Sequence, residues 1–272
     1  MTAIARTEEH RVHPWMDPGQ LRVGSPGVRA CLSIIVPVWN AGPQMSRTLA
    51  ALQNFLTRQS QPTQLIVVDD GSDAFTQRLL ESARHAGPMT VLRNDRNRGK
   101  GYSVGRGMLA AEGALRVFTD ADLPYPEAIE DVVDALERGA DVAIACRAHP
   151  ASRFLVNADL VPHLFARRIA SRALNALAQR VLVRDVFDTQ AGLKGFTSAA
   201  AETIFSRLTI PRFGFDLECL YIASRHGLRV ERVPVTCCVD SADSSVGLVR
   251  DSMGMLRDLG IVRLNAWRGR YG

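Results

Sequence analysis

Two carboxylates stand one residue apart in Val117-Phe118-Thr119-Asp120-Ala121-Asp122-Leu123-Pro124. Apolar residues lead into them, and Pro124 and Pro126 end regular structure behind them. In an extended chain Asp120 and Asp122 project to the same side, because strand side chains alternate with period two. At the end of a buried strand they form a compact pair of hard oxygen ligands. Such a pair suits Mg²⁺ or Mn²⁺ that also binds a diphosphate, since these cations favour carboxylates plus substrate phosphates over an all-protein cage. Taken alone, two Asp beside a turn belong more often to a solvated loop than to a metal site. What decides is whether the rest of the chain converges on the same place.

Three clusters do. Leu32-Ser33-Ile34-Ile35-Val36-Pro37-Val38 and Leu65-Ile66-Val67-Val68 are short β-branched runs that end in polar residues. Between them Met45, Leu49, Leu52 and Leu56 recur at helical spacing over 44–58, which makes a β-α-β unit. The alternation continues with a helix over 75–86, a strand over 89–93 and a helix over 101–111. A strand over 115–119, a helix over 127–138 and a strand over 141–146 follow. Strands alternating with helices predict an α/β, Rossmann-like, doubly wound and mostly parallel sheet flanked by helices. Ligands in such sheets sit beyond the carboxyl ends of the strands. Pro37-Val38-Trp39-Asn40, Asp69-Asp70-Gly71-Ser72 and Asp120-Ala121-Asp122 all fall at such ends.

At 272 residues the chain is ample for a sizeable core, and its 46% hydrophobic and 22% charged residues describe an ordinary globular protein. The net charge of +5 is owed to arginine, because Lys100 and Lys194 are the only lysines. Arginine is the better fork for phosphate oxygens, so an anionic substrate or surface is expected. Nucleic acid is not, for want of an aromatic and basic platform. The five cysteines lack C-x-x-C spacing, and no histidines pair at metal-ligand spacing, which excludes a zinc set and fits a reducing cytoplasm. No run approaches the ~20 apolar residues that span a bilayer, and no signal peptide is visible, so a soluble or peripheral chain is expected.

Arg96-Asn97-Arg98-Gly99-Lys100-Gly101 is neither a Walker A loop nor the dinucleotide fingerprint. It is either a tight turn into a helix that packs through Gly105 and Gly107 or a phosphate-facing turn. Beyond it come a long loop over 147–159 and an amphipathic helix over 161–181 carrying Arg167, Arg168, Arg172 and Arg180. A helix over 199–207, another opening at Phe213, a Val-rich strand over 230–239 and a helix over 248–267 complete the chain. The divisions expected are a tail over 1–30, one domain over 31–246 and an amphipathic helical extension over 247–272. That last helix either packs on the sheet or lies on an anionic membrane surface.

In their order these motifs resemble a family 2 glycosyltransferase of the GT-A fold. Its polyprenyl-phosphate branch, the dolichyl-phosphate glucosyl- and mannosyltransferases, is the most similar. The resemblance covers about residues 32–246 and adds Asp188-Thr189-Gln190-Ala191-Gly192-Leu193-Lys194-Gly195-Phe196 and Phe215-Asp216-Leu217-Glu218 to the three clusters and the Gly-rich turn. It implies that Pro37, Asn40, Val68 and Asp70 line a nucleoside pocket, with Asp70 accepting from the base. Lys100, Asp120 and Ala121 would sit by the ribose and diphosphate, and Asp122, with Asp120, would hold Mg²⁺ or Mn²⁺. Arg147, Arg167, Ser171, Gln190 and Lys194 would meet the acceptor. Asp216 and Glu218 would orient the sugar or the acceptor. Arg167 is equally readable as a solvated helix arginine, and Asp216 as a helix cap. Two positions depart from the family pattern: Pro124 replaces a metal-assisting Gln, and Ser244-Ser245-Val246 lacks a Lys that meets phosphate.

The expected reaction is inverting transfer of a hexose from a nucleotide-sugar, UDP-linked, to polyprenyl phosphate at the inner face of the membrane. A phosphate acceptor is already ionised and needs no strong base. The alternative is a soluble family 2 enzyme acting on a small-molecule hydroxyl, with Asp216 taking the proton. A non-catalytic nucleotide-sugar binder or a nucleotidyltransferase is the third reading; the latter usually opens with a Gly-rich basic loop, which Ala41-Gly42-Pro43 is not.

Overall fold

A run of Ile and Val with no polar side to show to water belongs in the middle of a covered sheet. Strand β1 (Leu32–Val38) is buried along its whole length save for a partly exposed Pro37. The computed structural model describes residues 31–156, 191–239 and 248–272. The tail over 1–30, the helix over 161–181 with Arg167 and Ser171, the residue Gln190 and the 244–246 loop lie outside the described residues.

After β1 come α1 (Gln44–Arg58), β2 (Thr63–Asp69), α2 (Ala74–Ala86), β3 (Thr90–Arg93), α3 (Lys100–Ala110) and β4 (Leu115–Thr119). Then follow α4 (Ala128–Glu137), β5 (Val142–Cys146), β6 (Arg153–Val156), β7 (Leu193–Thr197), α5 (Ser198–Phe205) and α6 (Phe215–Arg225). The chain ends with β8 (Val230–Pro234), β9 (Thr236–Val239) and α7 (Leu248–Trp267). The main sheet runs β3-β2-β1-β4-β7-β5-β8. All its neighbours are parallel except β7, which is antiparallel to both β4 and β5.

Alternation along the strands splits the core into two layers. Ile35, Ile66, Val68, Phe118, Ile144 and Phe196 face α3, α5 and α6, and Val262 and Tyr271 from the C-terminal segment join them. Ile34, Val36, Val67, Val117, Ala143 and Leu193 face Met45, Leu49 and Leu52 of α1 and Ile129 and Val132 of α4. Glycine sets how closely α3 can approach. A Cβ at Gly107 would come within 2.5 Å of Ile35 Cγ2, so only glycine lets the helix lie so near the sheet. Gly105 has no such contact, with nothing nearer than 3.9 Å.

Three elements differ from the sequence expectation. The segment around Lys194 is a central strand, β7, although its lysine and glycine argue against one by propensity. The Val-rich run over 230–239 is two strands in two sheets: β8 ends at Pro234, and β9 pairs with β6 instead. That pairing also places a strand in the expected loop over 147–159. Helix α7 shares the core through Val262 and packs on α6, the first of the two placements expected for it.

Candidate active site

The carboxyl ends of β1, β2, β4 and β5 lie along one edge of the sheet, and β7 begins there because it runs the other way. Asp120 follows β4 directly. Its N–H donates to Gly192 O at 2.9 Å, and its own carbonyl accepts from Leu123 N at 2.9 Å, closing a tight turn around the two carboxylates. Leu123 holds φ +47°, and Asn40, at the end of β1, holds φ +49°. Both are left-handed non-glycine positions of the kind that gather at functional sites. Thr48 of α1 fixes the middle of the turn by donating from Oγ1 to Ala121 O at 2.6 Å.

Both lysines of the chain are here. Lys100 Nζ lies 2.5 Å from Asp120 Oδ1. Lys194 Nζ lies 2.5 Å from Asp216 Oδ1 and donates to Ala191 O at 2.8 Å. The rings of Phe118 and Phe215 flank Lys100 at 6.0 and 5.9 Å, and Phe118 also lies 5.4 Å from Lys194. Burial alone would lower the Lys100 pKa, but Asp120, Asp216 and Asp122 outweigh it and raise the group above its ordinary value. Asp216 is raised by burial, against the opposing pull of Lys194 and Lys100. Asp122 is exposed to solvent, yet the surrounding protein desolvates its carboxyl. That desolvation, followed by the charge of Asp120, raises its carboxyl as well.

The Gly-rich turn stands beside the carboxylates. Asp70 holds it: Oδ1 accepts from Arg98 N at 2.8 Å and Asn94 Nδ2 at 2.6 Å, and Oδ2 from Gly99 N at 2.8 Å. Gly99 has φ +105°, and a Cβ there would collide with Pro211 O. At Gly101 a Cβ would come within 2.6 Å of Phe215 Cβ. The two glycines therefore root Lys100 against the segment that leads into α6. Because Pro211 O already takes the Tyr102 N–H, this helix start is partly filled by protein.

Four expected site residues are buried or held by the protein itself. The Val68 side chain is fully buried against α3 and offers a nucleoside only its backbone. Asp70 is 3% exposed and anchors the turn. Lys194 is fully buried and neutralises Asp216. Glu218 is also fully buried. It accepts from Thr209 N (2.9 Å), Thr209 Oγ1 (2.6 Å), Ile210 N (2.8 Å) and Tyr271 Oη (2.5 Å), so it holds α6 to its neighbours. Asn40 is exposed and accepts from Asp73 N at 2.8 Å; Pro37 is partly exposed beside it. Arg147 follows β5 on the same edge, partly exposed.

Sequence reasoning missed Thr48, Asn94, Tyr271 and Asp258. Asp258, on α7, accepts from Gly214 N at the start of α6, a contact that only the fold brings together. The signal for the lysines was in plain view, since each adjoins a glycine on a chain that otherwise uses arginine.

Residues 33–205 match the family described as Glycosyl transferase family 2. The chain belongs to glycosyl transferase family 2. It is 32% identical over 241 residues to a dolichyl-phosphate beta-glucosyltransferase of Dictyostelium discoideum, a match covering 81% of this chain and 72% of that one. With a protein of the same name from Drosophila melanogaster it is 34% identical over 219 residues, or 75% of this chain and 66% of the other. Among solved structures it is similar to glucosyl-3-phosphoglycerate synthase from Mycobacterium tuberculosis in complex with Mn²⁺, UDP and glucosyl-3-phosphoglycerate. That likeness has a TM-score of 0.59 at 17% identity and covers 86% of this chain and 80% of the other. The fold of this glycosyltransferase is GT-A, with the seven-stranded, mostly parallel sheet flanked by helices.

Does this family 2 site fit a divalent cation? No group of three or more His, Cys, Asp or Glu among the described residues could hold one alone. Asp120 Oδ1 is buried, and the Lys100 ammonium 2.5 Å away is the one partner the structure gives it among the described residues. Beside it, Asp122 is an exposed carboxylate that its neighbour's charge disfavours. Two hard oxygens short of positive charge, with the remaining positions open, fit a cation completed by substrate phosphate.

Proposed function

We propose that this glycosyltransferase moves a hexose, with inversion, from a UDP-linked sugar to polyprenyl phosphate in a metal-dependent reaction. Asp122, with Asp120, would hold Mg²⁺ or Mn²⁺, which neutralises the charge that develops on the departing diphosphate. Lys100, rooted by Gly99 and Gly101, adds a second positive group for the same oxygens. Pro37, Asn40 and the backbone at Val68 shape the nucleoside end, and Ala121 the ribose and diphosphate. Arg147, together with Arg167, Ser171 and Gln190, receives the acceptor phosphate; Arg is suited to that by its planar fork. The relatives named as dolichyl-phosphate beta-glucosyltransferases support the acceptor, and the Mn²⁺ and UDP complex of the structural neighbour supports the donor and the cation.

The single observation that carries the reading is the pair Asp120 and Asp122 beside Lys100 on the ligand-binding edge of the sheet. The state of Asp216 favours a phosphate acceptor over an alcohol. It is 3% exposed and ion-paired with Lys194, a poor start for a base that must reach a hydroxyl proton. The outer face of α7 supports contact with a membrane surface, because Leu256, Leu264 and Trp267 are exposed there among Arg257, Arg263 and Arg268. No helix among the described residues is long and apolar enough to cross a membrane.

The test is a screen of UDP- and GDP-sugars with Mg²⁺ or Mn²⁺, following nucleotide release with polyprenyl phosphate or small alcohols as acceptor. Release that needs both a UDP-hexose and polyprenyl phosphate is the expected result. Release with alcohols alone, or activity unchanged in Asp122→Ala, overturns it.

A further inference from the structure

Lys100 is placed where a divalent cation would be. Its Nζ lies 2.5 Å from Asp120 Oδ1, a buried oxygen given no other partner among the described residues. The lysine side chain is 17% exposed and the aspartate 31%, so this is a partly buried contact and not one on open surface. It is also built rather than incidental. Gly99 and Gly101 wedge the root of α3 against Pro211, Ile210 and Phe215, and the Phe118 and Phe215 rings flank the ammonium. Lys194 cannot take over, because it is fully buried on Asp216 and Ala191.

We propose that Lys100 makes cation capture conditional on diphosphate: its ammonium fills the cation's place on Asp120 until a substrate phosphate draws it away. This deepens the reading above and rests on Asp120 and Asp122 as the cation's ligands.

The argument is one of charge. With all five groups ionised, two ammoniums face three carboxylates (Asp120, Asp122 and Asp216), leaving a single negative charge. A divalent ion arriving alone must displace Lys100 and strand an ammonium at a partly buried position with no anion to receive it, which is unfavourable. A diphosphate arriving alone meets the surplus negative charge. When both arrive, Lys100 exchanges a carboxylate oxygen for a phosphate oxygen, the cation takes the vacated carboxylate, and no group loses its partner. The two ligands then favour each other's binding, and linkage requires the effect to be reciprocal.

The experiment measures Mn²⁺ affinity by the loss of the free-ion paramagnetic resonance signal, with and without UDP. It uses the full chain, as wild type, Lys100→Met, Lys100→Gln and Lys100→Arg, each checked by thermal melting. In the wild type UDP should tighten Mn²⁺ by at least about tenfold, within the usual range of coupling between sites. In Lys100→Met, Mn²⁺ alone should bind on the order of tenfold tighter than in the wild type, and the gain from UDP should shrink to match. Lys100→Arg keeps a cation and should behave as wild type. Lys100→Gln, also neutral, gives the same readout if the methionine variant does not fold. Neutral variants that bind Mn²⁺ alone no tighter than wild type overturn the proposal, while UDP-dependent Mn²⁺ binding in the wild type leaves the cation site standing. No Mn²⁺ binding in the wild type even with UDP removes the cation site itself, and the proposal with it.

Discussion

Gly192 lies against Asp120 so closely that a methyl group on its Cα would sit 2.7 Å from the Asp120 carboxyl carbon. The two are also joined by the Asp120 N–H to Gly192 O hydrogen bond of 2.9 Å. The glycine is what lets the first carboxylate of the couplet lie flat against β7. Gly192→Ala should therefore push Asp120 aside and move the cation position with it. We expect kcat to fall by at least about tenfold, while melting drops by no more than the roughly 1–3 kcal/mol of an overpacked site. Steady-state kinetics beside a thermal melt would check this. Unchanged kcat would show that the Asp120 position is not critical.

Lys194 and Asp216 form the most deeply buried ion pair described, with side chains 0% and 5% exposed. Lys194→Met keeps the shape of the side chain and leaves the carboxylate without its ammonium. Removing one member of such a pair typically costs about 3–5 kcal/mol. Adding Asp216→Asn to the same chain should restore most of it, since a neutral amide tolerates the site far better. Denaturant titration of the single and double variants measures both values. A double variant as unstable as Lys194→Met would mean that packing, not charge, is what Lys194 supplies.

The first half of the fold was legible because its signals are local. β1 and β2 are β-branched runs, α1 repeats its apolar residues at helical spacing, and both carboxylate clusters follow strands directly. What escaped notice depends on contacts between distant segments. β7 holds a lysine that becomes acceptable in a central strand only once α6 supplies Asp216. Glu218 follows Asp216 by two residues, so the sequence suggested one shared task. On helix α6 two residues are about 200° apart, and the pair accordingly faces different neighbours. The partners that hold Asp70 were hidden for a similar reason, as Asn94, Arg98 and Gly99 lie more than twenty positions away.

Asp122 should make the stability of the metal-free protein depend on pH. Desolvation and then Asp120 raise its folded pKa above the ordinary 3.8, so the folded chain holds this proton more tightly than the unfolded one. The resulting stabilisation is complete below the ordinary value and is lost as pH rises through the raised one. Asp122→Asn cannot ionise and escapes that loss. In chelator, the variant should melt above the wild type at about pH 7, with the difference shrinking towards about pH 4. Equal melting points at both values would show that Asp122 is not under electrostatic strain.

The outer face of α7 gives a prediction about lipid. Trp267 is 85% exposed, and Leu256 and Leu264, eleven and three residues before it, lie on the same helical stripe. With Arg257, Arg263 and Arg268 at its flanks, the face should bind vesicles containing anionic lipid and release them as salt rises. Trp267→Ala with Leu264→Ala should abolish co-sedimentation with such vesicles while leaving the melting temperature nearly unchanged, because both side chains point outward. Retained binding would move the membrane contact elsewhere.

Glu218 separates a structural carboxylate from a sugar-binding one. Its Oε2 accepts two backbone N–H groups, from Thr209 and Ile210, and its Oε1 accepts two hydroxyls, from Thr209 and Tyr271. A glutamine amide can reproduce this arrangement, with its oxygen on the N–H groups and its NH₂ donating to hydroxyls that rotate to accept. Burial already raises the Glu218 pKa, so losing the charge relieves a penalty and should not cost the fold. Alanine instead leaves two backbone donors buried without acceptors, at about 1–3 kcal/mol each. We therefore expect Glu218→Gln to keep kcat/KM within about threefold of wild type, and Glu218→Ala to melt far earlier. If the glutamine variant folded normally but lost activity by a hundredfold or so, Glu218 would have to reach the sugar after all, through an opening of α6 away from Tyr271.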